Sequence, residues 1–493
     1  MGIEIHRTRF TATDRSNFQR RLDEQLEKLS ELLGRREFGR GQQTIGAELE
    51  LYVVDEQGLP AMLGPQLREE SLDPQVALEL NRYNLELNLS VQSPAALGFR
   101  LMEQEIREKL SMLSGIASTH AASLACVGIL PTLRPSDFGA HAVTPTPRYD
   151  ALTANLLEHR GASFHIDING ADPLQMAMAD ITLEGANASF QVHLRVAPDE
   201  FVDTFNAIQL SAPIVLACSG NSPSLFGHQL WDETRVPLFK QAVDTRHMDR
   251  YRWSEPARVA YGYGWARRSP QELFEQTVRL YPPLLPACGE EEPMPPPGIA
   301  PRLAELRLHL STVWQWNRPV YDDTDGGHLR IEMRALPSGP TAIDMVANAA
   351  FQVGLAIGLR DRMDRLASAI PFSHSEYNFY RAAQQGLAAR PVWPNLRQHG
   401  LAEAAVTDVI ADLLGTASDG LASLRVAQDD RDRYLGVIEQ RLQTRQTGAS
   451  WQRQATEALM ERGLGKSAAL AAMLEIYQQN SAGNEPVAQW TPL

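Results

Sequence analysis

The sequence predicts an α+β fold, in which a large, mainly antiparallel sheet is followed by a helical carboxyl-terminal region. Several short segments alternate apolar and polar residues, whereas strands of buried parallel sheets read as continuous apolar runs. Beyond about residue 341 the apolar spacing changes from two to that of a helix. These two observations divide the chain into residues 1–340, mixed in strands and helices, and residues 341–493, helical and packed on the first part.

Leu22, Leu26, Leu29 and Leu33 follow helical spacing and open the chain. The first strand follows, Thr44-Ile45-Gly46-Ala47-Glu48-Leu49-Glu50-Leu51-Tyr52-Val53, with Ile45, Ala47, Leu49, Leu51 and Val53 on one face and Gly46, Glu48 and Glu50 on the other. Period two places the two carboxylates about 7 Å apart on one face. Asn84-Leu85-Glu86-Leu87-Asn88-Leu89-Ser90 repeats the pattern, and Phe99, Met102, Ile106, Leu110 and Leu113 mark the next helix. Phe164-His165-Ile166-Asp167-Ile168-Asn169 is a shorter strand ending at Gly170, and Ser189-Phe190-Gln191-Val192-His193-Leu194-Arg195 is a longer one. Eight prolines and Glu290, Glu291 and Glu292 fall between Pro282 and Pro301, a composition incompatible with a helix interior or a central strand. Residues 282–301 are therefore read as a surface loop or insertion.

Leu306-Arg307-Leu308-His309-Leu310 alternates and is read as a strand, followed by His328-Leu329-Arg330-Ile331-Glu332-Met333-Arg334. The helical region is marked first by Ile343, Val346, Ala350, Val353 and Ile357, then by Val406, Val409, Ile410, Leu413 and Leu414, and last by Leu459 to Tyr477. The aromatic stretch Tyr261-Gly262-Tyr263-Gly264-Trp265 is read as a packed loop. No internal repeat or heptad array is present.

A chain of 493 residues with 43% hydrophobic and 22% charged residues has the composition of a globular protein. A net charge of -14 argues against nucleic acid as the main partner, because phosphate-backbone binders concentrate Lys and Arg. No continuous apolar run approaches the roughly 20 residues of a membrane span. The first residues, through His6, lack the apolar core of a signal peptide and the usual myristoylation pattern. Cys126, Cys218 and Cys288 are odd in number and widely spaced, which suggests neither a disulfide framework nor a thiolate zinc site. Cys126 and Cys218 are read as buried packing residues. Together these features lead to the expectation of a cytoplasmic protein, in which Asn187-Ala188-Ser189 matches a glycosylation acceptor by chance.

Taken singly, two glutamates on a wet strand face, a hydrogen-bonded histidine or a strand-face arginine are ordinary. Their recurrence on the polar faces of several strands is not. Pairing those strands would gather Glu48, Glu50, Glu86, His193 and Glu332 on one wall, with Arg334 beside them. Hard oxygen ligands with one imidazole suit Mg²⁺, with Mn²⁺ as the alternative. Divalent cations would relieve the mutual repulsion of four carboxylates, and several such cations together usually serve a polyphosphate. Arg334, with Arg330 and Arg318 as further candidates, could bind phosphate oxygens in forked geometry.

In that set the chain resembles the carboxylate-amine ligases related to glutamate-cysteine ligase, a branch of the glutamine synthetase superfamily. The resemblance is carried by Gly46-Ala47-Glu48-Leu49-Glu50, Leu85-Glu86-Leu87-Asn88, Gln191-Val192-His193-Leu194, Ser222-Pro223 with Thr234-Arg235, Trp316-Asn317-Arg318-Pro319 and Ile331-Glu332-Met333-Arg334, in the family's order. A weaker likeness runs through Tyr377-Asn378-Phe379-Tyr380-Arg381-Ala382 and Gly386. It implies a curved sheet of glutamine-synthetase-like type with helices on its outer face, and residues 1–340 as the catalytic, ATP- and Mg²⁺-binding domain. It further implies a ligase that converts a carboxylate, usually the side chain of glutamate, to an acyl phosphate and joins it to an amine such as that of cysteine. By resemblance Glu48, Glu50, Glu86, His193 and Glu332 would be metal ligands, and Arg334 and Arg318 would contact ATP phosphates. Arg235 would hold the substrate's carboxylate, and Gln191 and Asn88 would line the amino-acid site.

The chain also departs from the family. Many relatives have Gly-Thr-His-Pro where this chain runs Gly128-Ile129-Leu130-Pro131, an acidic residue where Pro337 stands, and a small polar residue at Arg330. Glutamate with cysteine is the leading pair. The alternatives are another amino acid and amine joined by the same mechanism, or a nucleotide- and metal-binding sensor without turnover. The expected partners are small molecules, with neither nucleic acid nor membrane, and a homodimer is left open.

Overall fold

Strand β1 (Ile45–Asp55) is the spine of a seven-stranded antiparallel sheet that the alternating segments build. The others are β2 (Val76–Leu78), β3 (Asn84–Asn88), β4 (Ala122–Ala125), β7 (Phe190–Val196), β10 (Asn317–Asp322) and β11 (His328–Met333). Hairpins β5 (Phe164–Ile168) with β6 (Leu174–Met178), β8 (Ser224–Leu225) with β9 (His228–Gln229), and β12 (Val392–Asn395) with β13 (Gly400–Glu403) stand apart. A computed structural model gives this fold and describes residue 5 and residues 7–246, 256–395 and 400–493. Residues 1–4 and His6, used above in the signal reading, lie outside the described residues.

The order across the curled sheet is β10-β11-β7-β1-β3-β2, with β4 pairing the far end of β1. Because side chains alternate across a strand, Ile45, Leu49, Phe190, Val192, Leu194, Leu329 and Ile331 all enter one core and are fully buried. The helices Phe201–Ser219 and Ala342–Arg360 pack into the same core and against each other, tied by the bond from Gln352 Nε2 to Ser211 Oγ at 2.8 Å. Both are long and apolar enough by composition to cross a bilayer, although neither stands out as one continuous apolar run in the sequence. Here each is enclosed by protein. Arg441 joins the later helices to this pair, bonding Asp344 Oδ1 at 2.8 Å, Asn348 Oδ1 at 2.6 Å and the Cys218 carbonyl at 3.0 Å.

On the opposite face the polar row ends where Tyr52 and Val54 enter a second core, built with Trp451, Met473 and Tyr477. Its helices are Gly448–Glu461 and Lys466–Gly483, and the helical pattern from Leu459 to Tyr477 runs across both. Gly463, at φ 98°, takes the chain through the break.

The strand reading of Leu306–Leu310 is corrected, since it lies in the helix Ala304–Leu310. Its alternation misled because Glu305, Leu306, Leu308, His309 and Leu310 are all buried, and a short segment without a wet face carries no readable period. The Pro-rich residues 282–301 contain no helix or strand and lie along the helix Ala12–Gly34, where Arg21 Nη2 donates to the Glu290 carbonyl at 2.8 Å. Cys126 and Cys218 are buried, and Tyr261 packs on Phe372 and Phe379.

Candidate active site

Register explains why the site residues meet. Gly46 faces His193, His193 faces Glu332, and Glu332 faces Arg318, forming one row across β1, β7, β11 and β10. In the next rows Glu48 stands between Gln191 and Asn88, and Glu50 faces Glu86. All belong to the polar face of the sheet.

Two groups result. Glu48, His193 and Glu332 each offer a ligand atom within 4.8 Å of the others, as do Glu50, Glu79 and Glu86. Glu79 follows β2 directly and was not predicted. Its signal was present in Val76-Ala77-Leu78-Glu79-Leu80, which alternates, but a three-residue strand is too short to stand out.

The groups differ electrically. Burial would raise the Glu332 carboxyl, yet Arg318, Arg334 and His193 hold it far below the ordinary range. Arg318 Nε donates to Glu332 Oε2 at 2.7 Å and Arg334 Nη1 to Oε1. Burial also works to raise Glu48, but His193, whose Nε2 lies 3.2 Å from Glu48 Oε1, outweighs it and the net shift is downward. The second group is under-compensated. Burial, then the charges of Glu48 and Glu50, push Glu86 up to about 8. Burial, then Glu86, Glu50 and Glu184, drive Glu79 well above the usual carboxylate range. Glu50 is raised by burial despite Arg235, Arg334 and the Ser189 N–H, which donates to Glu50 Oε2 at 2.7 Å.

Both groups fit a divalent cation. Among the described residues His193 Nδ1 has no hydrogen-bond partner and Nε2 meets only the Glu48 carboxylate, although the histidine is 8% exposed. A carboxylate has about four lone-pair sites, so Glu332 can keep both arginines and still ligate. Five carboxylates and one imidazole are a donor set for Mg²⁺ or Mn²⁺.

Two cavities flank the groups. The outer one, about 300 Å³, is lined by Gly46, Glu48, Asn88, His193, Arg195, His328 and Arg330 among others. The inner one is lined by Glu50, Glu79, Asn84, Glu184, Asn187, Arg235, Trp316 and Arg334 among others. Glu48 and Glu50, two residues apart on β1, thus belong to different cavities. Arg334 links the groups: besides Glu332 it bonds Gln191 Oε1, and Gln191 Nε2 donates to Glu50 Oε1 at 2.9 Å.

Arg235, 2% exposed, ion-pairs with Glu233 at 3.3 Å and donates to the Ala335 carbonyl at 3.1 Å. A side chain at Gly128 would stand 3.0 Å from Arg235 Cδ, so the glycine makes room for the arginine. Asn88 donates to Glu86 Oε1 at 2.8 Å and lines the outer cavity, while Gln191, which is buried, and Arg318, which is partly exposed, line neither. Arg330 stands apart at the outer rim, paired with Asp322 at 2.7 Å. Arg195 and His328 share that cavity and sit on the polar faces of β7 and β11, where alternation could have found them.

The profile of glutamate-cysteine ligase family 2 matches residues 44–471. Glutamate–cysteine ligases of two Halobacterium salinarum strains, R1 and NRC-1, are 27% identical over 183 residues, which is 36% of this chain and 44% of each relative. The match therefore spans less than half the length of these relatives. The crystal structure of glutamate–cysteine ligase from Francisella tularensis in complex with AMP is similar at a TM-score of 0.52 and 12% identity, over 92% of this chain and 96% of that one. At that identity the likeness is one of fold.

Proposed function

The chain belongs to glutamate-cysteine ligase family 2, and on that premise we propose that it is an ATP-dependent carboxylate-amine ligase acting through an acyl phosphate. The observation that carries this reading is the pair of acidic groups on one sheet face, joined through Arg334 and opening to separate cavities. One cavity suits the nucleotide and the other the acid. On this reading Glu48, His193 and Glu332 would hold a Mg²⁺ ion at the outer cavity, and Glu50, Glu86 and Glu79 would hold another at the inner one. Bound Mg²⁺ supplies neutralisation of phosphate charge and polarises the oxygens in transfer.

A carboxylate is a poor electrophile, and attack of its oxygen on the terminal phosphoryl of ATP, with ADP leaving, gives it a good leaving group. The amine then attacks the acyl carbon and phosphate departs, forming the amide. Arg334, fixed by Glu332 and Gln191, lies within the electrostatic reach of both groups and is assigned to the transferring phosphoryl. Arg318 holds Glu332 from below, and Arg330, with Arg195, is assigned to the distal phosphates. Arg235 is assigned to a substrate carboxylate at the inner cavity, and the sheet's curl to the glutamine-synthetase-like type.

Glutamate and cysteine are the first pair to test. A different amine is favoured by Ile129 and Leu130, which are fully buried in the second core where many relatives place polar residues. ATP consumption is to be measured with Mg²⁺, glutamate and a panel of amines, with hydroxylamine as acyl-phosphate trap. A hydroxamate from glutamate, and an amide when cysteine is added, are expected. If no carboxylic acid stimulates ADP release while ATP binds, the protein is a nucleotide sensor and not a ligase.

A further inference from the structure

Arg235 finds its counter-charge two residues back in the chain. Glu233, fully buried in the turn before the helix Arg235–Ala242, ion-pairs with Arg235 Nη1, while the preceding acid, Asp232, is taken by Arg453. Glu233 is itself fixed. Ser222 Oγ donates to its Oε1 at 2.6 Å, the Asn221 N–H to its Oε2 at 3.0 Å, and its own N–H donates to the Ala383 carbonyl at 2.8 Å. Arg235 Nη1 also donates to the Ala335 carbonyl, and Nη2 to the Arg334 carbonyl at 3.4 Å. A guanidinium has five N–H donors in one plane. Three are engaged here, which leaves one hydrogen of Nη2 and the Nε–H, buried without a partner among the described residues.

Arg235 lines the inner cavity, whereas Glu233 lines neither cavity. Glu50 and Glu79 also line the inner one, and neither is ion-paired with a described residue. Burial raises the Glu50 carboxyl, and Arg235 is the strongest of the charges opposing that rise. Attraction between buried opposite charges is weakly screened. Without Glu233, Arg235 would therefore be drawn to Glu50. It would cover oxygens assigned to a metal and lose its open donors in doing so.

We propose that Glu233 is a positioning residue that holds Arg235 off Glu50, so that the arginine's two open donors face an anionic group of the acid substrate and the cavity's carboxylates stay free for Mg²⁺. The assignment rests on the ligase reading above for the nature of those two ligands, and not for the anchoring itself. Glu233 touches neither ligand and acts only through Arg235. Its loss is consequently reversible by removing the arginine as well, which no purely structural role would allow.

The test compares full-length wild type with Glu233→Gln and with the double variant Glu233→Gln, Arg235→Gln. Calorimetry with Mg²⁺ alone gives the metal affinity, and turnover at saturating Mg²⁺ with hydroxylamine as acceptor gives KM and kcat for the acid. Glu233→Gln is expected to weaken Mg²⁺ by about 10-fold, and to raise KM for the acid by about 10- to 100-fold with kcat within about threefold. In the double variant Mg²⁺ affinity is expected to return to within about threefold of wild type, while KM for the acid stays high. An unchanged Mg²⁺ affinity in Glu233→Gln, a loss that the second substitution does not restore, or an equal rise in KM for ATP overturns the proposal. If the Mg²⁺ loss and its restoration are seen but no variant, wild type included, turns over any acid, the ligase reading falls and the anchoring stands. Should Glu233→Gln fail to fold, Glu233→Asp keeps the charge at a shorter reach. Weaker Mg²⁺ binding is expected there too, by about threefold or more, and an unchanged affinity overturns the assignment.

Discussion

Glu332 is where charge is most concentrated, with one carboxylate beneath two arginines and beside a histidine, 2% exposed. Glu332→Gln is expected to lower turnover by on the order of 100-fold or more, as loss of the proposed metal ligand and of the arginines' anchor requires. The fold should persist with stability reduced by about 1–3 kcal/mol, read by denaturant titration. Because its folded pKa is depressed, the stability Glu332 contributes is present above the unfolded value of about 4.3 and lost as pH falls below it. Glu86 has the opposite sign. With a folded pKa of about 8, its contribution is present below the unfolded value and lost as pH rises toward that point. Thermal midpoints of the metal-free protein should therefore fall between about pH 5 and 8. Added Mg²⁺ should flatten the trend and bind more tightly as pH rises, because ligation displaces the proton. A midpoint that climbs over that range without metal contradicts this account.

Strand β7 shows how sharply an element divides its labour. His193 faces the acidic group while Leu194, its neighbour, is fully buried in the core. His193→Asn should abolish turnover with little change in stability, whereas Leu194→Ala should cost about 2–5 kcal/mol and leave KM unaltered in whatever folded enzyme remains. The same alternation made Glu48, Glu50, Glu86, His193 and Glu332 legible in the sequence: each lies on a strand with one wet and one dry face, so period two reports direction. Glu184 and Asn187 were missed because a short turn has no period, and the Ala304–Leu310 helix was misread because it has no wet face. Which rows pair was also illegible, since register is set by contacts between strands far apart in sequence.

Across the whole molecule, one hydrophobic core draws on residues from Ile5 to Ile438. A chain ending at residue 340 would lose the Ala342–Arg360 helix and uncover its partner Phe201–Ser219, so circular dichroism of that fragment should show no cooperative unfolding. Arg441→Met should destabilise the full chain by roughly 3–5 kcal/mol, because Asp344, fully buried, is left without its cation. The double variant with Asp344→Asn should recover part of that loss, as chemical denaturation of both would reveal.

The pairing of the two apolar helices also imposes a timetable on synthesis. About 140 residues separate the end of Phe201–Ser219 from the end of Ala342–Arg360. At roughly 5–20 residues per second, a ribosome needs about 7–28 s to deliver the second helix after the first. Throughout that interval the earlier helix has the composition of a membrane segment and no mate to cover it. The nascent chain is thus a client for holding chaperones, and slow codons placed between the two helices would lengthen its exposure and lower the yield of native protein.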